Sequence, residues 1–336
     1  SGPQSRGLGD VYKRQLVPLP PEITSPDTVS VDENTTPVVD VESIDELDSE
    51  GAGLVYSISA GDDQSFFSID ANTGVLEFST APNFEDPLDD NEDNTYLVDV
   101  TVMDSAGLSA TQSLAVSVVN VNEPPVADAG GPYSIDAGLT LSVDASGTTD
   151  PDDGDTLTFD WDLDGDNSPD FTTNNAVDTI PWLTVIDHIG VGTHSIQLTV
   201  TDSGGMSSSD TAVVDISDLF IFPATSDGVD DEYTLVIDGL DLQVNETPSG
   251  ALLSRVPAAT IANIAVQGSD DRDTMTIDYG GGVIETPITF DGNDPTIAPG
   301  DTIQLQNGAA DTVEHTFITE TTGTVSYTHL TLPTTC

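Results

Sequence analysis

The sequence predicts an all-β protein made of tandem β-sandwiches that are followed by a third β-rich region. Three observations support this prediction. Apolar and polar residues alternate along many short runs, turn-forming residues separate those runs, and no long stretch has a helical period. Many short, half-buried strands with frequent turns are typical of β-sandwiches.

The strands are identified by apolar residues at every second position. Successive side chains of a strand point to opposite faces, so each such set predicts one buried face. In chain order the clearest sets are Val98, Val100 and Val102; Leu114, Val116 and Val118; Leu157, Phe159, Trp161 and Leu163; and Ile196, Leu198 and Val200.

Proline-rich segments predict the domain boundaries. Pro18, Pro20 and Pro21 precede the first strand, and the segment 122–125 (Asn-Glu-Pro-Pro) ends the first unit. Proline stiffens a linker and removes amide donors, which suits a short joint between sandwiches. With the second unit ending near Ser217, the predicted domains are 16–124, 125–217 and 218–324.

The two ends of the chain are predicted to be foreign to the protein. One codon choice for residues 10–15 has a reverse complement that encodes Val-Ser-Tyr-Thr-His, which is the sequence of residues 325–329. Translated sequencing adapters explain both ends, so residues 1–15 and 325–336 are set aside, and the remainder is expected to be an internal fragment of a longer protein. The only cysteine, Cys336, lies in a segment that is set aside.

The charge of the chain is extreme. Sixty acidic residues face five basic ones, for a net charge of −55. Without Asp10, Arg6, Lys13 and Arg14, fifty-nine acids face only Arg255 and Arg272. Such a surface repels nucleic acid and anionic membranes, which are therefore excluded as partners. Adaptation to high salt is an alternative source of the acidity that needs no specific site.

Residues 21–124 carry five motifs in a characteristic order. They are Val31-Asp32-Glu33-Asn34; Phe67-Ser68-Ile69-Asp70 with Thr73-Gly74-Val75-Leu76; Asn83-Phe84-Glu85; Val98-Asp99-Val100-Thr101-Val102-Met103-Asp104; and Val119-Asn120-Val121-Asn122-Glu123-Pro124. With these motifs the unit resembles a cadherin repeat. The resemblance implies binding of Ca2+, a cation that takes six to eight oxygen ligands, at the joints between successive domains.

The resemblance also implies two sets of calcium ligands. The set expected at the C-terminal end of the unit comprises Glu33, Asn83, Glu85, Asn120, Asn122 and Glu123. The set expected at the opposite end comprises Asp104 with the acidic run Asp45, Asp48 and Glu50. Asn83 and Asn120 stand where the family more often has Asp, and Glu123 replaces Asp, so the predicted affinity is weaker. For each acid, a solvated surface carboxylate is the alternative.

Residues 125–217 carry a second ordered set of motifs. They are Pro125-Val126-Ala127-Asp128-Ala129-Gly130-Gly131-Pro132-Tyr133; Leu141-Ser142-Val143-Asp144-Ala145-Ser146; Thr149-Asp150-Pro151; Phe159-Asp160-Trp161-Asp162-Leu163-Asp164-Gly165-Asp166; and Leu198-Thr199-Val200-Thr201-Asp202-Ser203-Gly204-Gly205. With them the unit resembles a PKD (polycystic kidney disease type) domain. The implied fold is a Greek-key, immunoglobulin-like β-sandwich with Trp161 in its core.

An acidic loop inside this second unit has the spacing of a calcium site. Asp162, Asp164, Asp166 and Asp170 occupy relative positions 1, 3, 5 and 9, and Gly165 permits a sharp turn. The alternative is an acidic surface turn whose aspartates serve turn geometry. His188 and His194 are expected to be ordinary loop or strand histidines, and no transition-metal site is expected.

Residues 218–324 have weaker patterning. Short runs such as Leu235–Gly239 and Ile264–Gly268 predict strands, and the irregular spacing of their glycines leaves a β-solenoid or another sandwich as alternatives.

Together these features predict a non-catalytic protein segment. No Gly-x-Ser-x-Gly nucleophile motif occurs, and residues 16–324 contain neither cysteine nor lysine. The predicted function is that of a calcium-binding, calcium-stiffened adhesive or structural segment of a large secreted or cell-surface protein. Its expected partners are other cell-surface proteins or glycans, with homophilic contact as one option, and flanking domains of the same chain. A non-catalytic stalk of a secreted hydrolase is the alternative.

Overall fold

The regular secondary structure of the described part of the chain consists almost entirely of strands, which confirms the all-β prediction. A computed structural model describes residues 18–223, 232–247, 249–267, 274–282, 284, 286–291, 302–306, 315–317 and 325–327. Residues 1–15, Arg272 and parts of the third region lie outside these ranges. None of the helices in these ranges has the length and apolar character needed to cross a membrane. The chain divides into two compact units, 1–122 and 123–336.

The first unit is a β-sandwich of nine strands. They are β1 (Glu22–Ile23), β2 (Thr28–Asp32), β3 (Pro37–Asp40), β4 (Ser43–Ile44), β5 (Val55–Ala60), β6 (Phe67–Ile69), β7 (Val75–Phe78), β8 (Thr95–Met103) and β9 (Ser109–Val119). One sheet has the order β2-β9-β8-β5, another has the order β3-β7-β6, and β1 pairs with β4. β2 runs parallel to β9, and the remaining pairs are antiparallel.

The core of the first unit lies between these sheets. Along β8, Tyr96, Val98, Val100 and Val102 are buried, as the alternation predicts, and they form one cluster with Leu76 of the facing sheet and others. The ring of Tyr96 meets three phenylalanine rings edge-on, an arrangement that adds to the area buried.

The second unit begins with a sandwich that contains one short helix. Its elements are β10 (Tyr133–Ala137), β11 (Leu141–Asp144), β12 (Thr158–Asp162), β13 (Phe171–Thr173), β14 (Val177–Ile180), α1 (Trp182–His188), β15 (Gly192–Thr201) and β16 (Ser207–Pro223). The pairs β12–β13, β12–β15 and β15–β16 are antiparallel, β10 runs parallel to β16, and β11 pairs with β14. Trp161 of β12 is buried in the core, as predicted.

β16 runs across the boundary that was predicted at Ser217. Its first half pairs with β15 and β10, and its last residues, from Leu219, pair in parallel with the strand that begins at Asn263. The buried residues on both sides of residue 217 belong to one hydrophobic cluster. The second unit therefore continues into the third region without a break in this strand.

The strands after β16 form two sheets of the second unit. They are β17 (Glu232–Asp238), β18 (Asp241–Glu246), β19 (Leu252–Pro257), β20 (Asn263–Gln267), β21 (Thr274–Asp278), β22 (Ile288–Asp291), β23 (Thr302–Gln306), β24 (His315–Phe317) and β25 (Val325–Tyr327). β20 and β22 extend the sheet of β16 in parallel, whereas β21 and β23 extend β17 in parallel. Because the chain alternates between the two sheets, this geometry favours the solenoid over the second sandwich.

Candidate calcium sites

Glu33 is a buried carboxylate that connects distant segments of the first unit. It follows β2, is 1% exposed, and accepts 2.9 Å hydrogen bonds from the backbone amides of Phe84 and Val121, one on each oxygen. The next residue, Asn34, has a φ of 58° and donates its backbone amide to the carbonyl of Pro82. The side chain of Glu33 therefore ties the loop after Pro82 to the segment after β9.

Among the described residues of the first unit, Glu85 is the predicted ligand whose carboxylate lies beside that of Glu33. One oxygen of each lies within 4.8 Å of the other. Asn83 uses its Oδ1 to accept the backbone amides of Glu85 and Asp86, at 2.8 and 3.3 Å. Asn120 and Asn122 flank Val121, whose amide reaches Glu33. Glu123 belongs to the second unit, and its role as a ligand stays a prediction.

At the opposite end of the first unit, the predicted acidic ligands accept hydrogen bonds from residues of the β8–β9 turn. Asp104 is 7% exposed and accepts the backbone amide of Leu108 at 2.7 Å. Asp48 accepts both the backbone amide and the hydroxyl of Ser105, at 2.9 and 2.7 Å. The acidic run therefore does lie beside the β8–β9 turn. Among the described residues, however, Asp48, Glu50 and Asp104 do not form a group of three close carboxylates.

Asp45 serves the local turn. Backbone amides of Leu47 and Asp48 donate to its Oδ1 at 2.7 and 2.8 Å. These hydrogen bonds, that of Leu47 first, hold the pKa of the Asp45 carboxyl below its usual range. Glu50 is exposed.

The acidic loop of the second unit brings three of its four predicted residues together. Asp162, Asp164 and Asp166 each place one oxygen within 4.8 Å of the others. Asp162, 7% exposed, accepts the amides of Gly165 and Asn167 at 2.7 and 2.8 Å. Asp164 accepts the amide of Asp166, and Asp166 accepts that of Ser168. The positive φ of Gly165, 78°, makes the sharp turn.

Asp170 takes a different partner. Its Oδ2 accepts the amide of Leu163 at 2.7 Å, and its Oδ1 lies 2.9 Å from Nδ1 of His188. Asp164 also reaches this ring, at 3.3 Å. The expectation of an ordinary loop or strand histidine was wrong for His188, because it ends α1 and faces two carboxylates. His194 is an ordinary strand residue whose Nε2 lies 2.8 Å from the carbonyl oxygen of Gly190.

A further acidic group was not predicted as a site. Asp150, Asp152 and Asp155 also bring one oxygen each within 4.8 Å of the others. Burial raises the pKa of Asp150, and the nearby charges of Asp155 and Asp202 add to that rise. The spacing of the three aspartates was a visible signal, but the residues that surround them come from distant segments.

Positive charge is scarce around these carboxylates. Of the lysines and arginines, Arg255 alone falls within the described ranges, and it pairs with Asp187 and, at 3.0 Å, with Asp241. Arg255 therefore pairs with none of the acidic groups described above. In the described ranges those groups are compensated by backbone amides and, for Asp164 and Asp170, by contact with His188.

Known proteins resemble parts of this chain. Residues 122–217 match the family model of the PKD domain. The rat dyslexia-associated protein KIAA0319 homolog is 32% identical over 123 residues, which cover 36% of this chain and 11% of the relative. Halomucin of Haloquadratum walsbyi is 32% identical over 87 residues, or 25% of this chain and 1% of that protein. The chain spans only a small part of these curated relatives.

Cadherin ectodomains are among the solved structures that match this chain. Human CDH23 EC21-23 is 21% identical, with a TM-score of 0.35, over 68% of this chain and 80% of that one. The human desmocollin-1 ectodomain is 19% identical, with a TM-score of 0.32, over 68% and 46%. The family match at residues 122–217 overlaps the second predicted domain, which resembles a PKD domain by its motifs.

Proposed function

We propose that this chain is a calcium-binding, calcium-stiffened structural or adhesive segment of a larger extracellular or cell-surface protein. The observation that carries the proposal is the convergence of two predicted sets of carboxylates. Glu33 and Glu85 approach each other in the first unit, and Asp162, Asp164 and Asp166 do so in the second. Both sets offer only oxygen atoms, which are the ligands that calcium prefers.

Glu33 can bind a cation without giving up its structural hydrogen bonds. An ionised carboxylate has about four lone-pair sites, and Glu33 uses one on each oxygen for a backbone amide. The remaining lone pairs are available to calcium. An ion held by Glu33 and Glu85 would draw together the loop after Pro82 and the segment after β9, which stiffens this end of the first unit.

The aspartates of the loop in the second unit combine two roles. Their hydrogen bonds to backbone amides shape the turn, as the alternative interpretation requires. Each of these oxygens still retains lone pairs, so the hydrogen bonds of the turn leave the three carboxylates available to calcium. Asp170 groups with Asp164 and His188 rather than with Asp162 and Asp166, so its role as a calcium ligand stays a prediction.

The proposed role is mechanical and adhesive rather than catalytic. The acidic surface favours partners that are neutral, cationic or joined through calcium, such as another cell-surface protein, a glycan or a second copy of this chain. The same surface repels nucleic acid. The PKD match at residues 122–217 supports an extracellular modular protein.

Thermal unfolding of the full chain tests the proposal. Extracellular calcium modules bind at about 10⁻⁴–10⁻³ M, so calcium at ten times the Kd adds about 1.4 kcal/mol per site. We expect millimolar calcium to raise the Tm well beyond sodium chloride of equal ionic strength, and a chelator to reverse the rise. Equal effects of the two salts would favour the salt-adaptation account and end the proposal.

Two variants separate the sites of the two units. Glu85→Gln should remove part of the rise in Tm that calcium causes. The double variant Asp164→Asn/Asp166→Asn should remove another part of that rise. Glu77→Gln is the matched control, because Glu77 is an exposed glutamate of β7. If calcium stoichiometry stays unchanged in both test variants, the assignment of these residues is refuted.

A further inference from the structure

An open polar groove lies on the outer face of the sheet that contains β12, β15 and β16. Its volume is about 360 Å³, and its floor includes Asp160 of β12, Thr199 of β15 and Ser209 of β16. The register places Asp160 opposite Thr199, and Thr199 opposite Ser209. The three side chains therefore form one row across three neighbouring strands.

The loop after β12 forms one wall of this groove. Asn167, Ser168 and Pro169 of that loop line the groove, together with Asp162 at the end of the strand. The two oxygens of Asp162 accept the backbone amides of Gly165 and Asn167, at 2.7 and 2.8 Å. These hydrogen bonds tie the loop to the end of β12, so the fold of the second unit itself shapes the groove.

The groove offers many hydrogen-bond acceptors. Oδ1 of Asp160 accepts the hydroxyl of Thr172 at 2.5 Å, whereas no described residue donates to its Oδ2. The side chain of Gln197, which also lines the groove, has no hydrogen bond with a described residue. The hydroxyls of Thr199 and Ser209 share one hydrogen bond at 3.0 Å and keep further lone pairs. Carboxylate, amide and hydroxyl oxygens are thus available to a bound group.

The charge of the groove favours a positively charged occupant. Two of its lining residues, Asp160 and Asp162, are acidic, and the one described arginine, Arg255, is paired elsewhere. A negative groove on a chain with a net charge of −55 attracts cations and repels anions. Its volume lies near the lower end of the range for ligand pockets, about 300–1,000 Å³. That size suits one long side chain of a partner.

We propose that this groove receives an arginine side chain of a partner protein at the cell surface. A guanidinium group carries five N–H donors and no acceptor, which matches a groove rich in acceptors. Its planar form pairs with a carboxylate through two hydrogen bonds, and it is less strongly hydrated than the ammonium of lysine. Oδ2 of Asp160 and the amide oxygen of Gln197 supply the main contacts. This inference rests on the proposed adhesive function, for which it names the contact, and it requires no bound calcium.

The first experiment maps binding on the full wild-type chain by 1H–15N NMR in the presence of a calcium chelator. The probe is the peptide acetyl-Gly-Arg-Gly-amide. We expect saturable shifts at the backbone amides of Asp160, Gln197 and Thr199 and at the side-chain amide of Gln197. The same peptide with lysine should bind more weakly, and the peptide with uncharged citrulline should not bind. Shifts that spread over the acidic surface without preference for the groove would show general attraction only and overturn the proposal.

The second experiment compares two variants that remove the same charge. Asp160→Asn should weaken binding of the arginine peptide about tenfold, because a charge-assisted hydrogen bond is lost. Asp153→Asn removes an exposed carboxylate outside the groove and should weaken binding less than about twofold. Equal losses in the two variants overturn the proposal. If Asp160→Asn does not fold, Gln197→Ala takes its place, and an unchanged Kd in that variant overturns the proposal as well.

A neutral sugar is the competing occupant. Shifts at the groove with the disaccharide of N-acetylglucosamine, and none with the arginine peptide, would overturn the proposal in favour of a glycan. The outcomes are also separable from those for calcium, because the peptide is titrated in chelator. Absence of peptide binding in a chain whose Tm still rises with calcium refutes the groove alone. Peptide binding without a calcium-dependent rise supports the groove and ends the calcium-stiffened proposal.

Discussion

The carboxylate of Glu33 accepts the backbone amide of Val121, 88 residues further along the chain, at 2.9 Å. Its other oxygen accepts the amide of Phe84 at the same distance. A single buried side chain thus satisfies two backbone donors that belong to different segments, so the residue supports the fold with or without a bound ion.

Glu33→Gln should destabilise the chain even in the presence of a chelator. The glutamine NH2 group must face one of the two backbone amides, which leaves a buried donor against a donor and costs about 1–3 kcal/mol. Chemical denaturation followed by circular dichroism measures the free energy of unfolding. Glu77→Gln, at an exposed position, should change it by less than about 0.5 kcal/mol. Equal stability of the two variants would contradict the role assigned to Glu33.

Trp161→Ala should remove much of the stability of the second unit. Trp161 is 1% exposed and meets the ring of Tyr133 edge-on at 6.4 Å. Loss of a buried tryptophan costs about 3–5 kcal/mol because a cavity remains. Thermal and denaturant unfolding would measure this loss in the free energy of unfolding. Leu240→Ala is the control, since Leu240 is 87% exposed. A loss similar to that of the control would show that Trp161 is not a core residue.

Low pH should lower the free energy of unfolding of the chain, partly because the carboxylate of Asp178 becomes protonated. Hydrogen bonds from Thr173 first, and then from Thr179 and Asn175, hold the pKa of Asp178 below its ordinary value of 3.8. A carboxyl with a lowered folded-state pKa stabilises the fold above pH 3.8, and this contribution disappears as the pH falls through the folded-state value. Asp178→Asn should therefore be less stable than the wild type at pH 7 and should approach it in acid. A constant difference in the free energy of unfolding across this pH range would contradict the prediction.

Hydrogen exchange should show that β16 continues past residue 217. Ser217 pairs with Asp136, the register shifts at a bulge before Phe220 pairs with Ala137, and Leu219 begins the pairing with β20. Because backbone amides in paired strands exchange slowly, mass spectrometry should find residues 213–216 and 219–222 similarly protected, with faster exchange only at the bulge. Leu240, which is 87% exposed in the turn between β17 and β18, serves as the fast-exchanging reference. Fast exchange throughout residues 219–222 would contradict the prediction.

Some parts of the candidate sites follow from short-range sequence spacing. Asp162, Asp164 and Asp166 lie within five residues around Gly165, so a single turn is enough to bring their oxygens together. The alternation along β8 and β12 similarly identifies the buried faces, because a strand has a period of two whatever it packs against. Spacing of this kind predicts the all-β class and the loop.

Contacts between distant segments could not be predicted from short-range sequence spacing. Asp150 and Asp155 are recognised as unusual only when their Oδ2 atoms are found to be buried without donors, and His188 matters only because α1 places it against Asp170. The continuation of β16 past Ser217 likewise depends on its pairing with β20. Local patterns specify strands and turns, whereas the burial and charge environment of a carboxylate depends on which remote segments the fold packs around it.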